Sequence, residues 1–194
     1  MGAQDEHRSR GRAVRLDGPS CFLRPLDISD APELLELRQS NRDFLDPWEP
    51  RRTESFYTLE MQASQIELAA KQWQAGEGFG FGIFLGDSGE MVGRVALANI
   101  VRGAWQNATL GYFVALSANG RGVATEAVRL CVGYAFEYPK LHRVQASVIP
   151  RNKASIRVLE KAGFRHEGFA PRFLNINGVW EDHEQYAVTV EEWE

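Results

Sequence analysis

The chain has 194 residues, 44% of them hydrophobic and 11% aromatic, which supplies enough apolar surface for one compact domain with a substantial core. Its formal net charge of −4 argues against a protein whose main task is coating nucleic acid or an anionic membrane. No apolar run is long enough to cross a bilayer, no signal-peptide centre is present, and Cys21 and Cys131 lack Cys-x-x-Cys or Cys/His spacing; the expectation is a cytoplasmic protein with two buried thiols, no disulfide and no metal.

Residues 1–19 mix Arg8, Arg10, Arg12 and Arg15 with Gln4, Asp5, Glu6 and glycines, without apolar periodicity. They read as a flexible arm; contact with RNA on a ribosome-bound substrate is the alternative, weakened by the interleaved acids. Residues 20–194 read as the folded domain, opening with a short strand at Cys21–Leu26. Asp27-Ile28-Ser29-Asp30 caps a helix whose Ala31, Leu34, Leu35 and Leu37 share one face. Phe44 to Pro50 is an aromatic loop pinned by two prolines, and a second helix spans about Leu59–Trp73. Strands follow at Phe79–Leu85 and Met91–Ile100, joined by Gly86-Asp87-Ser88-Gly89, and then at Thr109–Leu116. Ala124, Ala127, Val128, Cys131, Tyr134 and Ala135 recur at helical spacing. His142–Ile149 is a strand, and Asn152–Ala162 a helix with Asn152 as N-cap and Gly163 as left-handed stop. A last hairpin, Phe164–Leu174 with Val179–Val190, turns at Asn177-Gly178, which suits a type I′ turn. The class is α/β, with about seven strands and about four helices.

The chemistry concentrates at Leu110-Gly111-Tyr112-Phe113-Val114 followed by Asn119-Gly120-Arg121-Gly122-Val123-Ala124-Thr125-Glu126-Ala127. A strand, a small-residue turn and a helix start collect backbone N–H groups and the positive end of a helix dipole, which suits a phosphate. The same residues also serve a turn that merely enters a helix. The near-match Gly120-x-Gly122-x-x-Thr125 sits after hairpins rather than after the first strand of a βαβ unit, and the chain has no Gly-Lys-Ser/Thr, so dinucleotide and P-loop sites are disfavoured.

Pro150-Arg151-Asn152-Lys153-Ala154-Ser155 through Leu159 to Gly163-Phe164, combined with that turn, resembles the acetyl-CoA site of the GNAT family of N-acetyltransferases. Asn41-Arg42, Pro47-Trp48-Glu49-Pro50, Gln106-Asn107-Ala108 and Asn177-Gly178-Val179-Trp180-Glu181-Asp182-His183 extend the likeness, over about residues 20–190, to the RimJ/RimL branch, which acetylates N-termini of ribosomal proteins. The resemblance implies a twisted, mostly antiparallel sheet whose fourth and fifth strands splay apart to receive the pantetheine of acetyl-CoA, the co-substrate. It implies pantetheine along Phe113 and Val114, pyrophosphate on Arg121, Gly122, Val123, Ala124 and Thr125, and Asn152 and Ser155 beside the amide and sulfur. Asn119 stands where the family more often has Gln or Arg.

Acetyl transfer needs a neutral amine, a stabilised acyl oxygen and a protonated leaving thiol. An α-amino group, with pKa near 8, loses its proton at neutral pH for about 1 kcal/mol, so direct transfer in a ternary complex is feasible. The resemblance makes Ser155 the proton donor to the sulfur. Leu174 stands where some relatives carry a basic glutamate, so the base is sought at Glu181, Asp182 and His183; Asp182 is the choice, with a salt-bridged or turn-stabilising carboxylate as the alternative. Trp48 and Glu49 are expected to line the acceptor side, although Trp48 also suits a core plug. The acceptor is expected to be a protein N-terminus, with ribosome association as a partner call and a small amine as the alternative acceptor; a non-catalytic acyl-CoA module is the alternative function. The assembly is expected to be a monomer or homodimer, with no direct nucleic-acid role.

Overall fold

Alternation along the strands divides the core between two faces. On β5 (Asn107–Val114), Ala108, Leu110 and Val114 join one apolar cluster, while Phe113 joins a second with Phe22, Leu34, Ile66 and Phe84. The computed structural model describes residues 14–193. Their strands are β1 (Leu16–Asp17), β2 (Cys21–Arg24), β3 (Phe79–Leu85), β4 (Met91–Val101), β5, β6 (Arg143–Val148), β7 (Arg165–Ile176) and β8 (Val179–Thr189). They form one sheet in the order β1-β2-β3-β4-β5-β6-β8-β7. Helices are α1 (Ala31–Ser40), α2 (Arg42–Leu45), α3 (Leu59–Ala75), α4 (Val123–Glu137) and α5 (Lys153–Lys161).

Every strand pair is antiparallel except β5–β6, which the α4 crossover makes parallel. That pair is short: Asn107↔Arg143, Ala108↔Val144 and Thr109↔Gln145 are in register, after which β5 and β6 part. This is the expected splay. Gly93, opposite Val114, lets β4 approach β5 closely at the mouth of the gap, because a Cβ there would strike the carbonyl oxygen of Phe113. Trp73 closes the other end of the core, edge-on to Phe79 and Phe81 and against Tyr134 of α4.

Four expectations are revised. The sheet has eight strands, because Leu16–Asp17 pairs with β2; the rest of the expected arm, residues 1–13, lies outside the described residues. The segment Phe44–Pro50 is not an open loop: α2 and a 3-10 turn at Asp46–Trp48 wind it up, and α2 raises the helix count to five. The third predicted strand of the central hairpin set ends at Val114 rather than Leu116. Ala115 N–H donates to the Val92 carbonyl at 2.7 Å and Leu116 N–H to Asn41 Oδ1 at 2.9 Å, which bends the chain out of the sheet. The closing hairpin runs longer than expected, to Ile176, and its turn has φ +46° at Asn177 and +89° at Gly178, as a type I′ turn requires.

Candidate active site

The turn before α4 is built on two left-handed glycines, Gly120 at φ +73° and Gly122 at φ +84°. Gly122 is the N-cap and has no side chain to satisfy the first-turn N–H groups of the fifteen-residue helix α4. A Cβ placed on either glycine meets no atom within 4 Å, so the space above this backbone is open. Arg121 is exposed, Ala124 and Thr125 are half-buried, and the Val123 side chain is buried, leaving only its backbone to face outward. Glu126 fastens this helix start to the sheet: its carboxylate accepts from the N–H groups of Ser20 and Cys21 and from the Ser20 hydroxyl. Burial alone would raise its pKa, but these hydrogen bonds hold it below the ordinary carboxylate value.

At the start of α5, Asn152 Oδ1 accepts the Ser155 N–H at 3.1 Å, the capping bond read from the sequence. The Ser155 hydroxyl lies 2.8 Å from the Tyr112 hydroxyl, which also donates to the Ser155 carbonyl at 3.2 Å. Burial pushes Tyr112 up to about 12, opposed by its hydrogen bond to Ser155, so the phenol stays protonated at neutral pH. Tyr112, Phe113, Val114, Ala124, Asn152 and Ser155 line a cleft of about 280 Å³ together with Trp48, Glu49 and His183. The cleft follows the splay between β5 and β6.

Trp48 is half-buried in the cleft wall with the Arg151 guanidinium 5.6 Å from its ring centre, so it is no core plug. Glu49 is not free. Arg38 donates to one of its oxygens at 2.7 Å, Arg52 lies 3.9 Å from the other, and its carbonyl receives the N–H of Asn177 from the β7–β8 turn at 3.0 Å. The Arg38 guanidinium stacks 3.7 Å above the ring of Phe113. Nearby Arg94 is pushed down to about 10, chiefly by burial and then by the like charge of Arg38. This side of the cleft therefore carries more cationic than anionic charge.

The run Glu181-Asp182-His183 splits as strand alternation dictates. Glu181 pairs with Arg151 at 2.7 Å, and that partner holds its carboxyl below the usual range. His183 is 2% exposed and lines the cleft, with Nδ1 3.0 Å from the Glu181 carbonyl oxygen. Asp182 points to the opposite face and accepts the N–H of Arg172 at 2.8 Å, where β7 bulges between Ala170 and Leu174. The geometry does not bring Asp182 to Ser155; it gives Asp182 the turn-stabilising role. His183, named with Glu181 and Asp182 in the search for a base, is the one of the three that lines the cleft, as strand alternation around Asp182 allows; the roles of Tyr112 in the cleft wall and of Arg38 behind Glu49 had no motif to announce them. Among the described residues no group of His, Cys, Asp and Glu is arranged to hold a metal, and no helix is long and apolar enough to cross a membrane.

The family model for the acetyltransferase (GNAT) domain matches residues 21–165. A probable N-acetyltransferase of Bacillus subtilis is 46% identical over 89% of this chain and 96% of its own length. The [ribosomal protein uS5]-alanine N-acetyltransferase of Escherichia coli is 33% identical over 96% of each chain. The structure of Mycobacterium smegmatis RimJ in complex with CoA-disulfide superposes with a TM-score of 0.87 at 33% identity, covering 94% of this chain and 90% of that one. With the family's splayed sheet and glycine turn in place, the chain belongs to the GNAT acetyltransferases and is an N-acetyltransferase whose relatives include the RimJ/RimL ribosomal-protein enzymes.

Proposed function

We propose that this enzyme transfers an acetyl group from acetyl-CoA to the N-terminal α-amino group of a protein, with ribosomal proteins in the cytoplasm as the substrate class. The observation that carries the reading is the cleft along the splay, bounded by the α4 and α5 helix starts and by Trp48, Glu49 and His183. The relative solved with CoA-disulfide and the relative that acetylates uS5 alanine support the two halves of the reading.

Acetyl-CoA supplies the activated acyl group. The open glycine backbone and α4 start suit its pyrophosphate, with Arg121 adding a charge-assisted contact and the N–H groups of Gly122, Val123, Ala124 and Thr125 available to phosphate oxygens. Phe113 and Val114 offer the exposed edge of β5 to the pantetheine, as an added strand would use it. The backbone at Val114 is the candidate donor to the acyl oxygen. Ser155, whose Oγ lies 2.8 Å from the Tyr112 hydroxyl at the cleft wall, gives its proton to the departing sulfur. On the acceptor side, Trp48 offers an aromatic wall and Glu49 shapes it through Arg38.

The test is a panel of acceptors with acetyl-CoA, read by thiol release and mass spectrometry: peptides starting with alanine or serine, Nα-blocked lysine peptides, and polyamines. Acetylation of the free α-amino peptides is expected. Transfer confined to the blocked lysine peptides or to polyamines would overturn the proposal.

A further inference from the structure

The cleft opens to both faces of the sheet, and each face brings its own hydroxyl or imidazole to it. Tyr112 lies on the face of Leu110 and Val114, where α5 carries Ser155. In the β6–β8 register Ala146 faces Tyr186 and Ser147 faces Gln185. Ala146 and Tyr186 belong to the cluster of Leu110 and Val114, so Ser147, Gln185 and, two residues on, His183 lie on the opposite face, that of Phe113. Ser155 and His183 thus flank the gap from opposite sides.

The protonation pattern of His183 follows from the Glu181 carbonyl beside its ring. A carbonyl oxygen only accepts, so Nδ1, 3.0 Å from the Glu181 oxygen, carries the hydrogen, and the lone pair of the neutral ring falls on Nε2. The edge of Phe173, with ring centres 5.7 Å apart, packs against the imidazole. The surrounding charges are Glu49 with Arg38 and Arg52 from the α2 side, Arg94 of β4 interacting with that pair, Glu181 with Arg151 on and beside its own strand, and Tyr112 across the gap; Asp182 is turned to the other face. Both carboxylates on this side, Glu49 and Glu181, are matched by an arginine.

We propose that His183 is the catalytic base, taking the proton from the acceptor amine on one face of the sheet while Ser155 protonates the leaving sulfur on the other. The inference rests on the amine-acetylation reading above. In the step, the C–N bond forms and the C–S bond breaks. The amine proton passes to Nε2 of His183, and the sulfur's electron pair takes the Ser155 hydroxyl proton. Solvent then removes the proton from the imidazolium and restores one to Ser155, so the net change moves one proton from nitrogen to sulfur.

The experiment compares the wild type with His183→Asn, whose amide N–H can still reach the Glu181 carbonyl but which cannot take up a proton. kcat/KM for an alanine-initiated peptide is followed against pH, acetyl-CoA Kd is measured by calorimetry, and the free wild-type protein is labelled with 15N-histidine for NMR. Expected is a fall in kcat/KM of about 10²-fold that persists at high pH, because even a neutral amine must release a proton as the C–N bond forms, while the acidic limb set by the amine's own protonation remains. Acetyl-CoA Kd should be unchanged. One of the four histidines should show Nδ1 protonated and Nε2 bare, and should be the signal that the variant lacks. A His183 signal with the hydrogen on Nε2 overturns the inference whether or not the variant folds, and so does an equally active variant. A wild type inactive on every amine overturns the acceptor reading instead.

Discussion

Ser155 shows how one residue can hold a structural and a chemical role without conflict. The cap of α5 uses the Ser155 backbone N–H, whereas the hydroxyl is turned to Tyr112. Ser155→Ala therefore keeps the cap: kcat is expected to fall by about 10²-fold, with melting temperature and acetyl-CoA Kd nearly unchanged. Asn152→Ala should instead cost about 1 kcal/mol of stability, measured by denaturant unfolding, because it removes the acceptor of that N–H. If Ser155→Ala destabilised the fold and left kcat intact, the proton-donor role would be refuted. Glu49 calls for a different expectation from the one its sequence context suggests. Its carboxylate balances Arg38, which is buried, so Glu49→Gln leaves a poorly compensated cation beside Phe113. We expect a loss on the order of 1–3 kcal/mol in urea unfolding together with a raised acceptor KM. A raised KM at full stability would show instead that Glu49 meets the acceptor directly.

Among the elements, the turn into α4 separates backbone strain from ligand exclusion. Gly122 adopts φ +84° with open space where a Cβ would stand, so Gly122→Ala meets no clash and should cost only the left-handed penalty of about 1 kcal/mol. Gly122→Asp adds a carboxylate at the same place and is expected to raise acetyl-CoA Kd at least about tenfold, since repulsion of roughly 1.4 kcal/mol suffices for that. Equal Kd values in calorimetry for wild type and Gly122→Asp would remove the turn from the phosphate site. This turn, the Asn152 cap and the Asn177-Gly178 hairpin were legible in sequence because each depends on residues adjacent in the chain. The end of β5 was not. Asn41 at the C-terminus of α1 takes the Leu116 N–H, and its Nδ2 donates to the Leu37 carbonyl, so a residue far back in the chain decides where the strand stops. The winding of Phe44–Trp48 into helical turns was hidden for a similar reason: Pro47 looks like a loop marker but occupies the first turn of a 3-10 helix, where its missing N–H costs nothing. Asp182 and His183 separate on geometry rather than on composition, since adjacent strand residues face opposite sides: Asp182 accepts the Arg172 N–H while His183 lines the cleft.

At the scale of the whole molecule, burial of neutral acids sets how the fold responds to alkali. Cys21 is fully buried and its thiol is pushed up from 9.0 to about 12, first by burial and then by the negative charge of Glu126. Cys131 and Tyr134 are raised by burial as well, and Tyr112 reaches about 12. In each case the folded pKa lies above the unfolded one, so the folded state holds its proton where the unfolded chain has released it. The resulting stability is complete below about pH 9 and is lost as pH rises through 12. The urea midpoint should therefore fall steadily between pH 9 and 11, and less steeply in Cys21→Ala. A midpoint independent of pH over that window would contradict the buried neutral thiols. Cys21 also couples this response to the site. Its sulfur lies 4.0 Å from the carbonyl of Val123, the first residue of α4, and its N–H donates to Glu126 in the same first turn. Ionising the thiol, which in the folded protein happens only near pH 12, would place a second negative charge against Glu126 at the helix start proposed for the pyrophosphate, so acetyl-CoA Kd in the wild type should hold between pH 9 and 11 and weaken only as pH approaches 12, and less so in Cys21→Ala.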